Sequence, residues 1–409
     1  MGASDVLLVH RAGVPGISAL AAKPRPRISQ SQLQGFKYFS LILPLLESLR
    51  DVSTERDRAG NRQFFCDQYV GLLLIYFFNS VVTSLRGLQQ VTELEKVQEL
   101  LGIRQVALGS LSEAAHVFDA AVLENILAKL VARALPLQTG REAEALRGLT
   151  AVDGSIIPAL PRMVWALWQD EQHRGVKLHL HFDVLASVPT DAKITPAACS
   201  EPDQLAAMLK PQRLYVVDRG YASFELFREI LDAGSSFIAR VKDNTAFTVK
   251  EERPISPEAK AAGVVRDVVI AKLGTAHHKD HLRQPVRLVV VQRTKPDGTV
   301  EDLWLVTDRL DLDSDLVALA YKYRWTVELF FRWFKRILGC RHLLSTCPNG
   351  VTIQAYVALI ASLLITLWTG RKPTKRTFEM LQFYLMGWAS EEELERHLQR
   401  LAAADKKNR

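Results

Sequence analysis

The chain has 409 residues, of which 48% are hydrophobic and 24% charged, so it can bury a large core in two or three domains and is not of disordered or fibrous composition. A net charge of +7 permits a nucleic-acid partner without requiring one. Four cysteines without a CxxC pair exclude a disulfide framework in a chain this long and argue against structural zinc. We therefore expect a reducing, cytoplasmic environment.

The N-terminal third is predicted to be an arm followed by helices. Residues 1–30 are rich in proline, glycine, alanine and basic side chains, which indicates a flexible basic arm. Residues 31–140 are expected to be a helical DNA-binding domain, with candidate helices at 39–49, 64–82, 88–102 and 118–135. Gly102 predicts a helix end, and Gly109–Ser112 predicts a turn with an N-cap. A plain helical bundle fits this pattern as well as a helix-turn-helix DNA reader does.

Hydrophobic periodicity changes from helical to alternating at about Arg147, which predicts an α/β core. Along one predicted strand, Lys177, His179 and His181 alternate with apolar residues, and we expect their face to be exposed or to support a site rather than to bind a metal. The predicted strands span residues 149–152, 163–168, 176–185, 213–217 and 236–242, and two helices span 201–209 and 223–232, with Ser223 as the expected N-cap of the second.

Residues 243–312 contain three further strand-like runs and a Pro-Asp-Gly turn, which we interpret as a β-rich insertion. The insertion would interrupt a catalytic domain at residues 141–370, and residues 371–409 would form a C-terminal helical tail. Within that domain, Val351–Gly370 is uncharged and long enough to span a membrane. Its scattered polar residues favour a core helix instead: Thr352, Gln354, Ser362 and Thr366.

The stretch Tyr321–Lys335 predicts a helix with one narrow polar stripe centred on Glu328. From Tyr321 to Arg376, ten Lys or Arg residues accompany this single acidic residue. The stripe fits either a surface salt-bridge ladder or a metal-binding carboxylate among cations that hold phosphates. Four residues lie within about 40° of Glu328 on a helical wheel: Tyr321, Arg324, Arg332 and Lys335. The aromatic residues of the other faces are expected in the core: Trp325, Trp333 and Phe334.

Three acidic residues could form one site although they are far apart in sequence. Asp153 and Asp218 each follow a short apolar strand and are closely followed by glycine, a position that points into the ligand crevice of α/β folds. Together with Glu328 they offer the oxygen ligands that Mg²⁺ or Mn²⁺ prefers. Aspartate and glycine at strand ends are also common turn residues, so each aspartate taken alone has a structural explanation.

The spacing Tyr321-x2-Arg324-x3-Glu328-x6-Lys335 resembles the Tyr-Arg-Glu-Lys signature of the bacterial insertion-sequence transposases called the IS-four family. The segments at 217–221 and 237–242 resemble that family's second-aspartate block, and residues 151–155 resemble its first. The resemblance covers roughly residues 145–370. It implies a ribonuclease H-like mixed sheet with a β-rich insertion, preceded by an all-α domain and followed by C-terminal helices.

The resemblance also implies a catalytic and metal-binding triad of Asp153, Asp218 and Glu328, with Mg²⁺ or Mn²⁺ as cofactor. Tyr321, Arg324 and Lys335 would contact DNA ends near the cut, and the charge stripe adds Arg332. Trp304, on a strand of the insertion, is a candidate for stacking on a flipped base, although a core position is favoured for it.

The resulting hypothesis is a cut-and-paste DNA transposase that binds terminal inverted repeats and target DNA, acts as a homodimer on DNA, and lies in the bacterial cytoplasm at the nucleoid. One alternative keeps the fold without transposition, as a domesticated nuclease or DNA-binding protein. A membrane-associated protein anchored by Val351–Gly370 is the less favoured alternative.

Overall fold

The computed structural model describes residues 46–47, 49–50, 62–160, 162–166, 173–274, 282, 284–336, 338–340 and 342–407. The predicted arm at 1–30 and most of the candidate helix at 39–49 lie outside these residues. In the described part, helices at both ends of the chain flank a nine-stranded sheet.

Helices dominate the described chain before the sheet begins. The candidate helix at 88–102 is divided in two, because the Thr92 hydroxyl donates to the Gln89 carbonyl (2.7 Å) and accepts the Val106 N–H (3.0 Å), which ends the first half. The second half ends at Gly102 in the left-handed conformation, as predicted. The helices are α1 Cys66–Phe78, α2 Leu85–Val91, α3 Glu95–Leu101, α4 Leu108–Val117, α5 Ala121–Val131 and α6 Arg141–Ala145.

The turn predicted at Gly109–Ser112 was wrong, because these residues belong to the first turns of α4. Leu111, Ala114 and Ala115 are buried at helical spacing, so packing of one face outweighs the low helix propensity of Gly109. The site of the predicted reader turn is therefore regular helix.

The central sheet combines both modes of strand pairing. Strands β1, β2 and β3 are antiparallel neighbours, whereas β4 pairs parallel with β1 and β5 pairs parallel with β4. The strand order is β3-β2-β1-β4-β5-β9-β8-β7-β6. The strands are β1 Leu149–Pro158, β2 Gly175–Asp183, β3 Val188–Pro196, β4 Leu214–Val217, β5 Ser236–Val241, β6 Phe247–Glu252, β7 Val264–Leu273, β8 Val286–Thr294 and β9 Val300–Thr307.

Helices cover both faces of this sheet. Helices α7 (Glu201–Ala207) and α8 (Phe224–Asp232) pack on the face that carries Val152, and Ser223 caps α8 as predicted. Helices on the opposite face, described below, pack against the side that carries Ala151. Three antiparallel strands followed by two parallel ones, with helices on both faces, form the expected ribonuclease H-like fold.

One predicted strand was wrong, and one strand was missed. The Met163 N–H bonds to the Leu160 carbonyl, and the Ala166 N–H bonds to the Met163 carbonyl. These are successive turns, so residues 163–166 do not form a strand. The third antiparallel strand is β3, whose flanking prolines and mixed polarity hide its pattern.

The polar side chains of β2 are buried, so the predicted exposed face was wrong, and their alternative role in supporting a site stays a prediction. Lys177, His179 and His181 are 8%, 3% and 2% exposed, because β1, β3 and α7 surround this part of β2. His179 Nε2 lies 2.9 Å from Thr195 Oγ1, and burial lowers the pKa of both histidines to about 4. These histidines are therefore neutral near pH 7.

The β-rich segment continues the main sheet, since β9 pairs antiparallel with β5. Beyond the predicted runs it contains β6 and a short helix, α9 (Pro257–Ala261). Its interior holds an ion pair between Arg287 and Asp267, with side chains 2% and 1% exposed and a 2.7 Å bond from Nε to Oδ1. Arg287 also donates to the Leu312 carbonyl, so the pair ties the added strands to the chain that leads into the next helix.

The predicted helix Tyr321–Lys335 consists of two helices, α10 (Ser314–Tyr323) and α11 (Trp325–Arg336). They meet at Arg324, where the N–H groups of Arg324 and Val327 bond to carbonyls three residues earlier, a tighter pattern than the α-helical one. Trp333 and Phe334 are buried as expected. Trp325 is 50% exposed, so its predicted core position was wrong.

The uncharged segment forms α12 (Pro348–Thr369), which is long and apolar enough to cross a membrane, yet 83% of its 18-residue apolar window is buried within the protein. It packs against α1, α4, α5 and β3. The Tyr356 hydroxyl donates to the Ala192 carbonyl at 2.6 Å, and Asn349 Nδ2 donates to the Phe118 carbonyl at 2.6 Å. Helix α12 therefore joins the N-terminal helices to the sheet, and it is followed by α13 (Lys375–Leu385) and α14 (Glu391–Lys407).

Candidate active site

The two aspartates lie on neighbouring strands in matching register. The parallel β1–β4 pairing ends with Ala151 opposite Val216. Asp153 and Asp218 each follow two residues later, Asp218 directly after the last residue of β4, so extending the same register sets them side by side. Neighbouring strands are about 5 Å apart, and residues two apart point to the same face. Both carboxyl groups therefore project on the α11 face, just where β4 ends and β1 continues alone beside β2.

Helix α11 runs along β1 and brings the third acid to the same region. Lys335 Nζ donates to the Ile156 carbonyl at 2.6 Å, which fixes the helix against the strand. Lys335 is about 10 Å beyond Glu328 along the helix, and Ile156 is about 10 Å beyond Asp153 along the strand. This match places Glu328 near Asp153.

A cleft of about 270 Å³ opens beside Asp153 and Glu328, and Asp218 is not among its lining residues. Arg332 is exposed on its wall, whereas Lys335 is half-buried and bonded to the strand. The cleft is lined by Asp153, Ser155, Glu328, Phe331, Arg332, Lys335 and Arg336. Cations thus surround the carboxylates on the solvent side, as the charge stripe predicts.

Arg324 bridges the remaining signature residues. Its guanidinium donates to Glu328 Oε1 at 2.6 Å and lies 5.7 Å from the centre of the Tyr321 ring. The ion pair is largely shielded, with the Arg324 side chain 12% and the Glu328 side chain 28% exposed. Tyr321, Arg324 and Glu328 therefore form a contiguous row at the junction of α10 and α11.

The electrostatics of Asp153 reflect this crowding. The pKa of Asp153 is raised to about 7, mainly by burial. The Arg324 guanidinium and the Gly154 N–H oppose this rise, and the carboxylates of Asp218 and Glu328 add to it. Asp153 Oδ1 accepts the Gly154 N–H at 2.8 Å, and Asp218 Oδ1 accepts the Gly220 N–H at 2.8 Å. Each aspartate is thus held by a backbone donor supplied by the local glycine.

Trp304 lies elsewhere on the sheet, in β9, where it pairs with Val241 and Val290. Its ring is half-buried and meets Phe247 edge-to-face, with the ring centroids 5.6 Å apart. It packs against the apolar cluster of the insertion.

Sequence reasoning missed several residues of this region. Ser155 and Arg336 line the cleft, but neither residue type nor spacing distinguished them. Behind the aspartates, the Lys177–Glu201 ion pair approaches the backbone of β1 at Gly154, a contact between residues remote in sequence. Tyr221 is buried in the apolar cluster that contains Val152 of β1. Tyr221 lay within the segment that resembles the second-aspartate block and was not singled out.

A family model described as "Transposase DDE domain" matches residues 144–364, more than half of the chain and the whole region of the three acids. The chain belongs to the DDE transposase family. A Geobacillus stearothermophilus protein described as a transposase of the insertion sequence element IS5377 is 25% identical over 76% of this chain and 79% of its own length. A Sinorhizobium fredii protein described as transposase y4zB is 29% identical over 58% of this chain and 65% of its own. These matches make this DDE transposase an enzyme of DNA strand cleavage and transfer.

Among solved structures, a synaptic complex of the piggyBac transposase with hairpin DNA aligns with 91% of this chain and 86% of that chain, at 10% identity and a TM-score of 0.42.

DDE transposases use divalent metal ions, and the donor set of this transposase fits one. Asp153, Asp218 and Glu328 are hard oxygen donors, and their mutual repulsion in a half-buried position is what a bound cation would relieve. Within the described ranges, no three His, Cys, Asp or Glu side chains are already gathered at ligating distance. The Glu328 carboxylate instead accepts a hydrogen bond from the Arg324 guanidinium.

The crowding of Asp153 predicts a pH dependence of stability in the metal-free transposase. Because its pKa rises from 3.8 to about 7 on folding, the folded state holds an extra proton between these values. The stability it contributes is present at low pH and is lost as the pH rises through about 7. In urea unfolding without divalent ions, Asp153→Asn should flatten the fall in stability between pH 5 and 8, by up to about 1.4 kcal/mol per pH unit.

The matched control is Asp302→Asn, an exposed aspartate on β9, which should keep the wild-type pH dependence. An Asp153→Asn curve parallel to that of the wild type would contradict a raised pKa at Asp153.

Proposed function

We propose that this DDE transposase is a cut-and-paste enzyme of an insertion element, of the IS-four type, with Asp153, Asp218 and Glu328 as its catalytic, metal-binding triad. The observation that carries the proposal is the shared register of β1 and β4, which sets Asp153 beside Asp218 on the face covered by the Glu328 helix. The signature Tyr321-x2-Arg324-x3-Glu328-x6-Lys335 supports the IS-four assignment.

In this proposal the three carboxylates hold Mg²⁺, or Mn²⁺ in its place. Such an ion supplies Lewis-acid activation of an attacking water or 3′-hydroxyl and charge neutralisation at the scissile phosphate. Asp153 and Asp218 each accept a backbone N–H on one carboxylate oxygen, and in this proposal their other oxygens bind the ion. Glu328 completes the donor set once a DNA phosphate competes for Arg324, its present partner.

The cations beside the acids would hold the DNA end. Arg332 is exposed in the cleft and can grip a phosphate with two N–H groups. Arg324, stacked near Tyr321, can reach the same strand, and Lys335 contributes a positive charge deeper in the cleft. Trp304 remains a proposed stacking residue, and its contact with Phe247 favours a packing role.

The wider assignments are proposals of the same kind. The helices before β1 are the proposed DNA-binding domain for the terminal inverted repeats. The proposed catalytic domain spans residues 141–370, with residues 243–312 as its insertion, and residues 371–409 form the C-terminal tail. A homodimer on DNA and a place at the bacterial nucleoid follow from the cut-and-paste hypothesis.

The catalytic proposal predicts that Asp153→Asn, Asp218→Asn or Glu328→Gln each lowers cleavage of a labelled element end by roughly 100-fold or more, because each removes a charged ligand that stabilises the transition state. End binding, measured by gel shift, should be retained. The control Asp302→Asn should cleave like the wild type.

Joining of the labelled end to a plasmid should fall in parallel with cleavage. Wild-type-like cleavage by any of the three variants would remove that residue from the triad. Cleavage by the wild type without strand transfer would instead favour a nuclease that no longer transposes.

The DNA-contact proposal predicts a change in salt dependence. Arg332→Ala and Lys335→Ala should each reduce the slope of log affinity against log salt by about 0.9, the value for one lost phosphate contact. Fluorescence anisotropy with an element-end duplex at several salt concentrations measures this slope. Lys272→Ala, an exposed lysine on β7, is the control, and an unchanged slope for Arg332→Ala would contradict phosphate contact.

A further inference from the structure

Arg240 continues the row of the two aspartates onto the next strand of the sheet. The parallel β4–β5 pairing ends with Val217 opposite Ala239, and one step further in the same register Asp218 lies beside Arg240. Neighbours in register point to the same face of a sheet, so the Arg240 side chain leaves on the face of the Asp218 carboxyl group. A cation therefore stands next to the proposed triad, on the side of the insertion.

The Arg240 guanidinium reaches along the sheet to Glu301 on β9. Its Nη2 donates to Glu301 Oε1 at 2.5 Å, and the two side chains are 23% and 21% exposed. Arg240 lies opposite Leu305, four residues from Glu301, so the two side chains together span about 13 Å along the strand direction. Within the described part of the chain, the buried Arg240 Nε has no hydrogen-bond partner.

Glu301 is shared among three cations. Arg293 Nη2 lies 3.1 Å and Lys295 Nζ lies 3.8 Å from Glu301 Oε2. Together with Arg240, these three positive charges and the one carboxylate leave the cluster with a net charge of +2. The Arg293 and Lys295 side chains are 57% and 42% exposed, so much of this charge faces solvent.

The cluster lies on the face of the sheet that carries the acids. Leu303 and Leu305 of β9 belong to the core that includes α10, whereas Trp304 between them belongs to the cluster on the opposite face. Glu301 alternates in step with the two leucines and therefore shares their face. Arg293 pairs with Glu301 in the β8–β9 ladder, which puts it on that face as well.

A second cleft joins this cluster to the signature residues. It has a volume of about 710 Å³, and Arg293, Tyr321 and Arg324 are among its lining residues. The smaller cleft with Arg332 and Lys335 lies beside β1, whereas the second one lies beside β9 and β8. Because β1, β4, β5, β9 and β8 are successive strands, the two groups of cations lie on opposite sides of the aspartates.

We propose that Arg240, Arg293 and Lys295 form an outer cation row that binds the phosphate backbone of the DNA flanking the element, beyond the cut. The inference rests on the proposed function, in which Arg332 and Lys335 hold the element end. A strand that crosses the acids then leaves them on the opposite side, where the outer cation row lies. The row spans two strand spacings, about 10 Å, which faces about three phosphates at about 3.4 Å of helix axis per nucleotide.

Glu301 competes with the DNA for this row. Without DNA it neutralises one of the three cations and fixes the Arg240 guanidinium beside the cleft. A phosphate offers an arginine two acceptor oxygens, so it can replace the carboxylate and also bond the Nε that has no partner now. Glu301 then keeps Arg293 or Lys295 as a partner, and no carboxylate is left unpaired.

The test compares two element-end duplexes, one that stops at the cleavage position and one that continues into flanking DNA. Fluorescence anisotropy with the full chain, at several salt concentrations and without divalent ions, measures binding without cleavage. Arg293→Ala and Lys295→Ala should each lower the slope of log affinity against log salt by about 0.9 on the flanked duplex only. The control Lys272→Ala, an exposed lysine on β7, should change neither slope.

Glu301→Gln should have the opposite effect, because it frees the cations that DNA must otherwise win from the carboxylate. Affinity for the flanked duplex should rise, and by more than in the matched control Glu252→Gln, which removes the same charge from an ion pair with Arg266 elsewhere in the insertion. Adding Arg240→Gln to Glu301→Gln should cancel the gain. This double variant removes the Arg240–Glu301 pair without leaving either charge alone, so it also tests Arg240 without unfolding the sheet.

Equal changes on the two duplexes would overturn the inference, and so would equal effects of Glu301→Gln and Glu252→Gln. A gain in Glu301→Gln that survives the addition of Arg240→Gln would exclude Arg240 from the row. Failure of the proposed function gives a different result, since the wild type would then bind both element-end duplexes no more tightly than a random duplex of equal length. Tight binding of the element ends without any effect of the flank would contradict only the outer cation row.

Discussion

The parallel pairing of β1 with β4 is the constraint on which the rest of the site depends. It holds Asp153 and Asp218 in register on one face, about one strand spacing apart. Two unit charges about 5 Å apart repel by about 3 kcal/mol at an effective dielectric constant of 20. Burial is the main reason why the pKa of Asp153 rises to about 7; the Arg324 guanidinium opposes the rise, and the Asp218 and Glu328 carboxylates add to it. The fold thus maintains a strained anionic pocket that a divalent cation would relax.

In the proposed function, helix α11 would make this pocket responsive to DNA. The helix is fixed to β1 near its end by the Lys335 bond to the Ile156 carbonyl, and Arg324, directly before its first residue, pairs with Glu328. A phosphate that draws Arg324 away would release the Glu328 carboxylate at the same time. Substrate binding and completion of the metal site would then be coupled through a single side chain, and the well-packed helix around it would need no large movement.

The sequence was informative where a local pattern carries the information. The change from helical to alternating periodicity and the family resemblance were sufficient to predict the fold class. The charge stripe around Glu328 and the strand-end aspartates selected three acids, of which Asp153 and Glu328 line one cleft, and the role of all three stays a prediction. The caps at Gly102 and Ser223 were also predicted, because a cap depends on neighbouring residues.

The misses share a cause, which is tertiary packing. The polar face of β2 alternates as an exposed strand would, yet β1, β3 and α7 bury Lys177, His179 and His181. The alternation of polar and apolar residues along β3 is weak, and this strand is stabilised by its antiparallel pairing with β2. The approach of Glu201 to Gly154 joins residues almost fifty positions apart, and no periodicity encodes it.

The most direct test of the account is iron-mediated backbone cleavage of the DNA-bound transposase. With Fe²⁺ in place of Mg²⁺ and ascorbate with peroxide as reductant and oxidant, hydroxyl radicals cut the main chain next to the bound ion. Convergence of the three acids predicts cuts in three separate segments, at β1 near Asp153, at the end of β4 near Asp218 and in α11 near Glu328. Cuts confined to one or two of these segments, or lying elsewhere in the chain, would contradict a shared ion-binding site.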